Sequence, residues 1–371
     1  MGLSDVFPVQ PEGTATLTAH CEWWPLTFLV KAPDPEILRL VRAHFDCTFK
    51  PDAAVAEARP VSVRVVPDPV LLRRLDDLDE TGVVRVKGFA DEEWDFSESG
   101  GIQFWWRTSG TGQPQAVVRA GADEWYVAAV GRMPSALLAV RVCRELLRSE
   151  LADRGALTVH GGLMATHGTG GLLLIGASGA GKTTLALCLA QHRGYVVSSD
   201  QTSLVGCGQG TVVGVGLPFA HRVGPGTLDR LSARSGVPRV PLIRDGTTCF
   251  PGNPAPEKSW LTVAEAELLH GVCAAPFGPV DQIVVIRTGP GLAKPVVSVA
   301  ARDRLVRQLS GEFWPSDPHV SGFWLASPGV PVPRTPAFAE LAALTAGVPM
   351  RELRWDPYRH DVTDVLAQVE R

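Results

Sequence analysis

Hydrophobic and polar positions change their rhythm near residue 133. Before it, short segments alternate or run β-branched: Val61-Ser62-Val63-Arg64-Val65-Val66, Val83-Val84-Arg85-Val86 and Gln115-Ala116-Val117-Val118-Arg119-Ala120. Gly, Pro and Asp clusters separate them, the pattern of half-buried strands joined by turns. Residues 1–133 are therefore expected to form a mostly antiparallel β module. Its aromatics, Trp23-Trp24, Trp94, Phe104-Trp105-Trp106 and Trp125-Tyr126, sit at strand spacing, which suits a core better than the wall of a groove. From Pro134 the period becomes helical, with Leu137, Leu138, Val142, Leu146, Leu147 and Leu151 on one side. Arg141, Arg144, Glu145 and Arg148 are expected on the exposed face, and Gly155 is a natural stop.

After Gly155 the pattern is that of a βαβ-like core. Ala156 to His160 and Leu163-Met164-Ala165 read as two short strands, and Leu172-Leu173-Leu174-Ile175 as a third. A helix then runs to about His192, and a strand from Tyr195 to Ser199 ends at Asp200. Gln282 to Ile286 is a later strand, followed by Arg287 where a conventional NTPase would carry an acid. Six prolines fall between Pro315 and Pro336, which predicts an irregular extended arm; Ala337–Leu344 and Asp361–Val369 read as short closing helices. The organisation expected is a β-rich module over 1–133, an α/β core over 134–314, and a Pro-rich arm with short helices over 315–371.

Composition narrows the classes of function. A formal net charge of −4, with no Lys/Arg block, gives no electrostatic footprint for nucleic acid. No run of about 18 apolar residues is present, so no membrane partner is expected. The seven cysteines are scattered, form no CxxC pair and read as reduced thiols, which points to a cytoplasmic protein. Histidines are equally dispersed, without HExxH, and no GxSxG elbow suggests hydrolase chemistry.

One segment carries specific chemistry. Gly176-Ala177-Ser178-Gly179-Ala180-Gly181-Lys182-Thr183-Thr184 fits the phosphate-binding loop pattern GxxxxGK[ST], entered from a strand and opening a helix. The glycines let successive N–H groups turn toward one anionic centre, and the helix adds its positive N-terminal end. On this reading Gly176, Ser178, Gly179, Ala180, Gly181, Lys182, Thr183 and Thr184 cradle a nucleotide. Lys182 reaches the β/γ-phosphates and Thr183 holds Mg²⁺. Asp200 ends the strand after the loop helix, where an open sheet places its ligands. It is the nearest acid available for metal or proton; the alternative is an ordinary turn Asp bonding its own backbone.

The order of these pieces resembles the catalytic core of the HPr kinase/phosphorylase family and its relatives in lasso-peptide and other peptide natural-product clusters. The likeness covers roughly Ala136 to Ser310 and is strongest from His160-Gly161-Gly162 through the loop to Gly194-Tyr195-Val196-Val197-Ser198-Ser199-Asp200. It implies an α/β fold with a mixed-sheet P-loop core. It also implies that Lys182 grips phosphates, that Thr183 and Asp200 serve Mg²⁺, that Asp200 is the base for an attacking serine hydroxyl, and that His160 lies beside the phosphates. The family assembles into oligomers, which makes a homo-oligomer an expectation here. Two adjacent acids follow the strand in the family proper; here Gln201 follows Asp200, which weakens the case for the reverse reaction. The family's C-terminal HPr-recognition signature is absent, so HPr is not the expected acceptor. His221-Arg222-Val223-Gly224-Pro225-Gly226 matches a basic, proline-bearing segment of the relatives, with Arg222 a phosphate or substrate contact or else a solvated loop residue; Arg244-Asp245-Gly246 is a weaker match.

The expected activity is an ATP- and Mg²⁺-dependent kinase acting on a hydroxyl, foremost a Ser of a peptide or small protein in a biosynthetic pathway, with the β module recognising that substrate. A small-molecule kinase and a nucleotide-binding regulator without turnover are the alternatives.

Overall fold

A computed structural model describes residues 14–20, 26–45, 50–51, 60–66, 83–87, 93–107, 114–166, 170–208, 210–217, 220–237, 258–299, 302–303, 306 and 338–369. Trp23, Trp24, Gly168-Thr169, Arg244-Asp245-Gly246 and the Pro-rich stretch 315–336 lie outside them. The protein is mixed α/β, with mixed sheets. The described residues up to Leu147 belong to one compact unit and those from Arg148 onward to a second.

The first unit is a nine-stranded sheet in the order β3-β1-β2-β4-β9-β8-β7-β6-β5. Its elements are β1 (Ala15–His20), β2 (Thr27–Ala32), α1 (Pro35–Phe45), β3 (Lys50–Pro51), β4 (Pro60–Val65), β5 (Val84–Lys87), β6 (Glu93–Ser99), β7 (Ile102–Arg107), β8 (Gln115–Arg119) and β9 (Glu124–Ala129). Alternation fixes which side of β4 is buried: Val61, Val63 and Val65 face the core, and Ser62 and Arg64 point the other way. Most pairings are antiparallel, as expected, while β2–β4 and β4–β9 are parallel and make the sheet mixed. Alternation reports burial and not strand direction, which the longer connections decide.

The described tryptophans of this unit, with Phe96, Phe104 and Tyr126, are core. Phe104, Trp106, Val118 and Tyr126 cluster on one face. On the other, Trp105 stacks on Trp125 with centroids 6.1 Å apart and meets Phe96 at 5.2 Å. Trp94 and Trp105 are fully buried. Each such ring contributes about 1.5–3 kcal/mol through burial, and none of them lines an open groove.

Helix α2 (Arg132–Asp153) lies close to the predicted span, but the four charges expected on its wet face do not meet water. Arg141, Arg144, Glu145 and Arg148 are all buried. Arg144 Nη2 donates to Glu145 Oε1 at 3.1 Å, the pairing that lets a charge leave water.

The second unit is built on a ten-stranded sheet whose main path runs β18-β14-β13-β10-β11-β19-β21-β20. Its elements are β10 (Leu157–Thr166), β11 (Gly170–Gly176), α3 (Lys182–Arg193), β12 (Gly194–Ser198), β13 (Gln201–Gly206), β14 (Val212–Gly216), β15 (His221–Val223), α4 (Pro225–Ser235), β16 (Ser259–Leu261), α5 (Val263–His270), β17 (Cys273–Ala274), β18 (Phe277–Pro279), β19 (Gln282–Thr288), β20 (Val296–Ser298), α6 (Phe338–Leu344), β21 (Met350–Trp355) and α7 (Val362–Val369). Strands β11, β19 and β21 are parallel neighbours. Leu173, Leu174 and Ile175 of β11 and Ile283 to Ile286 of β19 are buried on both faces, which is why both read as unbroken apolar runs.

Gly161-Gly162 does not break β10 into the two strands expected; it lets one ten-residue strand run through a crowded place. A Cβ on Gly161 would stand 3.0 Å from the Leu174 carbonyl oxygen, and one on Gly162 3.3 Å from that of Ser198. Among the described residues no helix is long and apolar enough to cross a membrane. Cys143, Cys188, Cys207 and Cys273 are free thiols.

Candidate functional site

The carboxyl ends of β11 and β12 bring the predicted site residues into one region. After β11 the chain turns through Ala177 to Gly181 and enters α3 at Lys182. Gly179 and Gly181 have φ of 81° and 90°, a left-handed backbone that glycine adopts without a Cβ clash. Gly181 has a second reason to lack a side chain: a Cβ there would stand 2.6 Å from the Trp355 ring. Trp355 in turn donates its indole N–H to the Ala180 carbonyl at 2.9 Å, so the end of β21 holds the loop in shape. Sequence reasoning missed Trp355, because a lone Trp far along the chain carries no motif.

Lys182 is buried, and its Nζ donates to the carbonyls of Gly176 (2.7 Å) and Ala177 (3.2 Å). A buried ammonium has to be hydrogen-bonded; here the loop itself supplies the acceptors. Among the described residues, the N–H groups of Gly179, Gly181 and Thr183 make no backbone hydrogen bond, leaving donors at the positive end of α3. Thr183 Oγ1 donates to the Ser199 carbonyl at 3.0 Å, tying the helix start to the corner that carries Asp200. Thr184 Oγ1 instead pairs with Thr227 Oγ1 of α4 at 2.7 Å. Ser178 and Gly176 are placed by the same loop, and the 2.6 Å approach of a Gly176 Cβ to the Ile286 carbonyl explains that glycine.

Asp200 occupies the tight corner between β12 and β13, strands that both pair with β10. Its N–H donates to Ser198 Oγ at 3.3 Å, while its carboxylate is 55% exposed and 3.6 Å from His160 Nε2. His160 is directly opposite Gln201 in the β10–β13 register. The Gln201 side chain is buried, and its amide has no hydrogen-bond partner among the described residues.

Beneath the corner, Ser199 Oγ hydrogen-bonds His221 Nδ1 at 2.8 Å. Burial pushes the His221 imidazole down to about 4, so it is neutral at pH 7. The next residue, Arg222, is paired with Trp260 across β15–β16 and places its guanidinium 5.5 Å from that ring's centre. Lys258, just before β16, is held below the usual lysine range, first by desolvation and then by Arg222, with Asp200 pulling the other way. Lys258 thus feels both Arg222 and Asp200. Lys258 carried no sequence signal, because its partners are set by β15–β16 pairing alone.

Arg287, found where an NTPase acid was sought, donates from Nε to Glu352 Oε2 of the adjacent β21 at 3.2 Å. It braces two parallel strands. Among the described residues no three His, Cys, Asp or Glu side chains converge as a metal site. No protein-family model matches this chain, and no curated protein matches it.

Proposed function

We propose that this protein is an ATP- and Mg²⁺-dependent kinase of the HPr-kinase-like type, transferring the γ-phosphate to a hydroxyl, foremost a Ser of a peptide or small protein. The observation that carries the reading is the hydrogen bond from Thr183 to the Ser199 carbonyl. It ties the phosphate loop to the acid-bearing corner, and phosphoryl transfer asks a protein mainly for such positioning and for charge stabilisation.

The residues fit Mg-ATP chemically. The N–H groups of Gly179, Gly181 and Thr183, which no backbone carbonyl engages, offer an anion what a phosphate requires. Lys182 exchanges its two loop carbonyls for phosphate oxygens. Magnesium would supply charge neutralisation on the phosphates, with Thr183 Oγ1 and Asp200 as its protein ligands. Asp200 accepts the proton of the acceptor hydroxyl at its carboxylate, and His160 at 3.6 Å steadies that charge. A base so placed is worth about 10²–10⁴-fold. The exposure of Asp200 supports an acceptor presented on a larger body rather than one enclosed whole. Arg222 and Lys258 give that side of the corner positive charge for phosphate or for acidic groups on the substrate.

The test begins with Lys182→Ala. The loop holds no other cation, so calorimetric titration is expected to show Mg-ATP affinity falling at least about tenfold. Unchanged affinity would remove the main support for the proposal.

A further inference from the structure

The second unit carries a cavity of about 450 Å³, lined among others by Cys188, Gln191 and His192 of α3, Arg230 and Arg234 of α4, and Asp361. Its lining on α3 begins at Cys188, six residues beyond Lys182 or about 9 Å along the helix, and shares no residue with the loop. Its size falls in the range of small-molecule sites, about 300–1,000 Å³.

The lining is chemically asymmetric. Arg230 and Arg234 are one turn apart on one helix face, where like charges repel. Arg230 Nη2 is anchored on the Pro357 carbonyl at 2.8 Å. Arg234 is exposed at the edge of the cavity and has no hydrogen-bond or ion-pair partner among the described residues. The one carboxylate in the lining, Asp361, already accepts from the Thr363 N–H (2.8 Å) and hydroxyl (2.7 Å). Those bonds, first of all, hold it below the usual carboxylate range and leave it committed as the cap of α7. Leu189 and Val362 are apolar wall, and the Cys188 thiol, pushed up to about 12 by burial, stays neutral. Two arginines against one engaged carboxylate leave the lining with an excess of positive charge beside an apolar wall.

We propose that this cavity binds a small organic anion, a carboxylate or a phosphate monoester, through Arg234 assisted by Arg230. The cavity lining contains no residue of the loop from Gly176 to Thr184, and the proposal does not depend on the kinase reading.

Benzoate and phenyl phosphate are the probes, with benzyl alcohol as the neutral control, each titrated into the full-length protein by ligand-observed NMR. At least one anion is expected to bind with a Kd of about 1 mM or tighter, and benzyl alcohol at least tenfold more weakly. Which anion binds distinguishes carboxylate from phosphate. Arg234→Gln is expected to weaken binding about tenfold or more, the scale of a lost charge-assisted hydrogen bond. Lys182→Ala, which disables the loop but not the cavity, is expected to leave at least one anion bound as in the wild type. Ala233→Leu, which fills the mouth without altering charge, is a second variant expected to weaken binding. Absence of anion binding, equal binding of benzyl alcohol, full loss in Lys182→Ala, or unchanged affinity in both cavity variants would overturn the proposal.

Discussion

At the scale of single residues, the proposed site separates holding from reacting. Lys182 and Thr183 are tied into the loop and the corner, whereas the Asp200 carboxylate is exposed beside His160. Asp200→Asn keeps the shape of the corner but takes no proton. Nucleotide affinity is then expected to stay near wild type while transfer falls by two to four orders of magnitude, about the worth of a positioned base. Single-turnover assays with radiolabelled ATP and a Ser-containing acceptor check it, and a wild-type rate would make Asp200 structural. The strand–turn–helix arrangement around Gly176 to Thr184 was legible in the sequence because all its parts are contiguous. Its supports were not: Trp355 reaches Ala180 across 175 positions, and His221 reaches Ser199 across 22. The α2 arginines misled for the opposite reason, since a charged helix face reads as wet whether or not something covers it.

At the scale of elements, strand existence was readable and strand company was not. Apolar runs located β11 and β19, but nothing local announced that β10 continues through Gly161-Gly162 or that β2, β4 and β9 run parallel. The glycines of the second unit record where backbones approach most closely. Gly194 opens β12 with extended φ, so its value lies in space rather than in conformational freedom: a Cβ there would overlap the Ala165 carbonyl of β10. Gly194→Ala is expected to destabilise the protein by about 1–3 kcal/mol, the usual cost of forcing atoms into a packed site. The urea midpoint measures this. An unchanged midpoint would mean that β12 and β10 part at no cost, and the corner that presents Asp200 would be looser than its pairing implies.

At the scale of the whole molecule, buried His221 makes stability depend on pH. Its folded value of about 4 lies below the 6.5 of a free imidazole, so the unfolded chain binds the proton more readily. The stabilisation is fully present above pH 6.5 and is lost as pH falls toward 4, by up to about 3 kcal/mol. Denaturant unfolding at pH 7.5 and pH 4.5 is expected to show this loss, reduced in His221→Gln; an equal loss in that variant would assign the pH dependence to other groups. The indole of Trp355 has a consequence in time as well as in space. A ribosome delivers the loop from Gly176 to Thr184 long before it delivers the strand that props it up, so in the growing chain the Ala180 carbonyl is still unmet by that indole. Under the proposed function, competence to bind nucleotide is then a late event of synthesis, with the last strand of the parallel set as the latch.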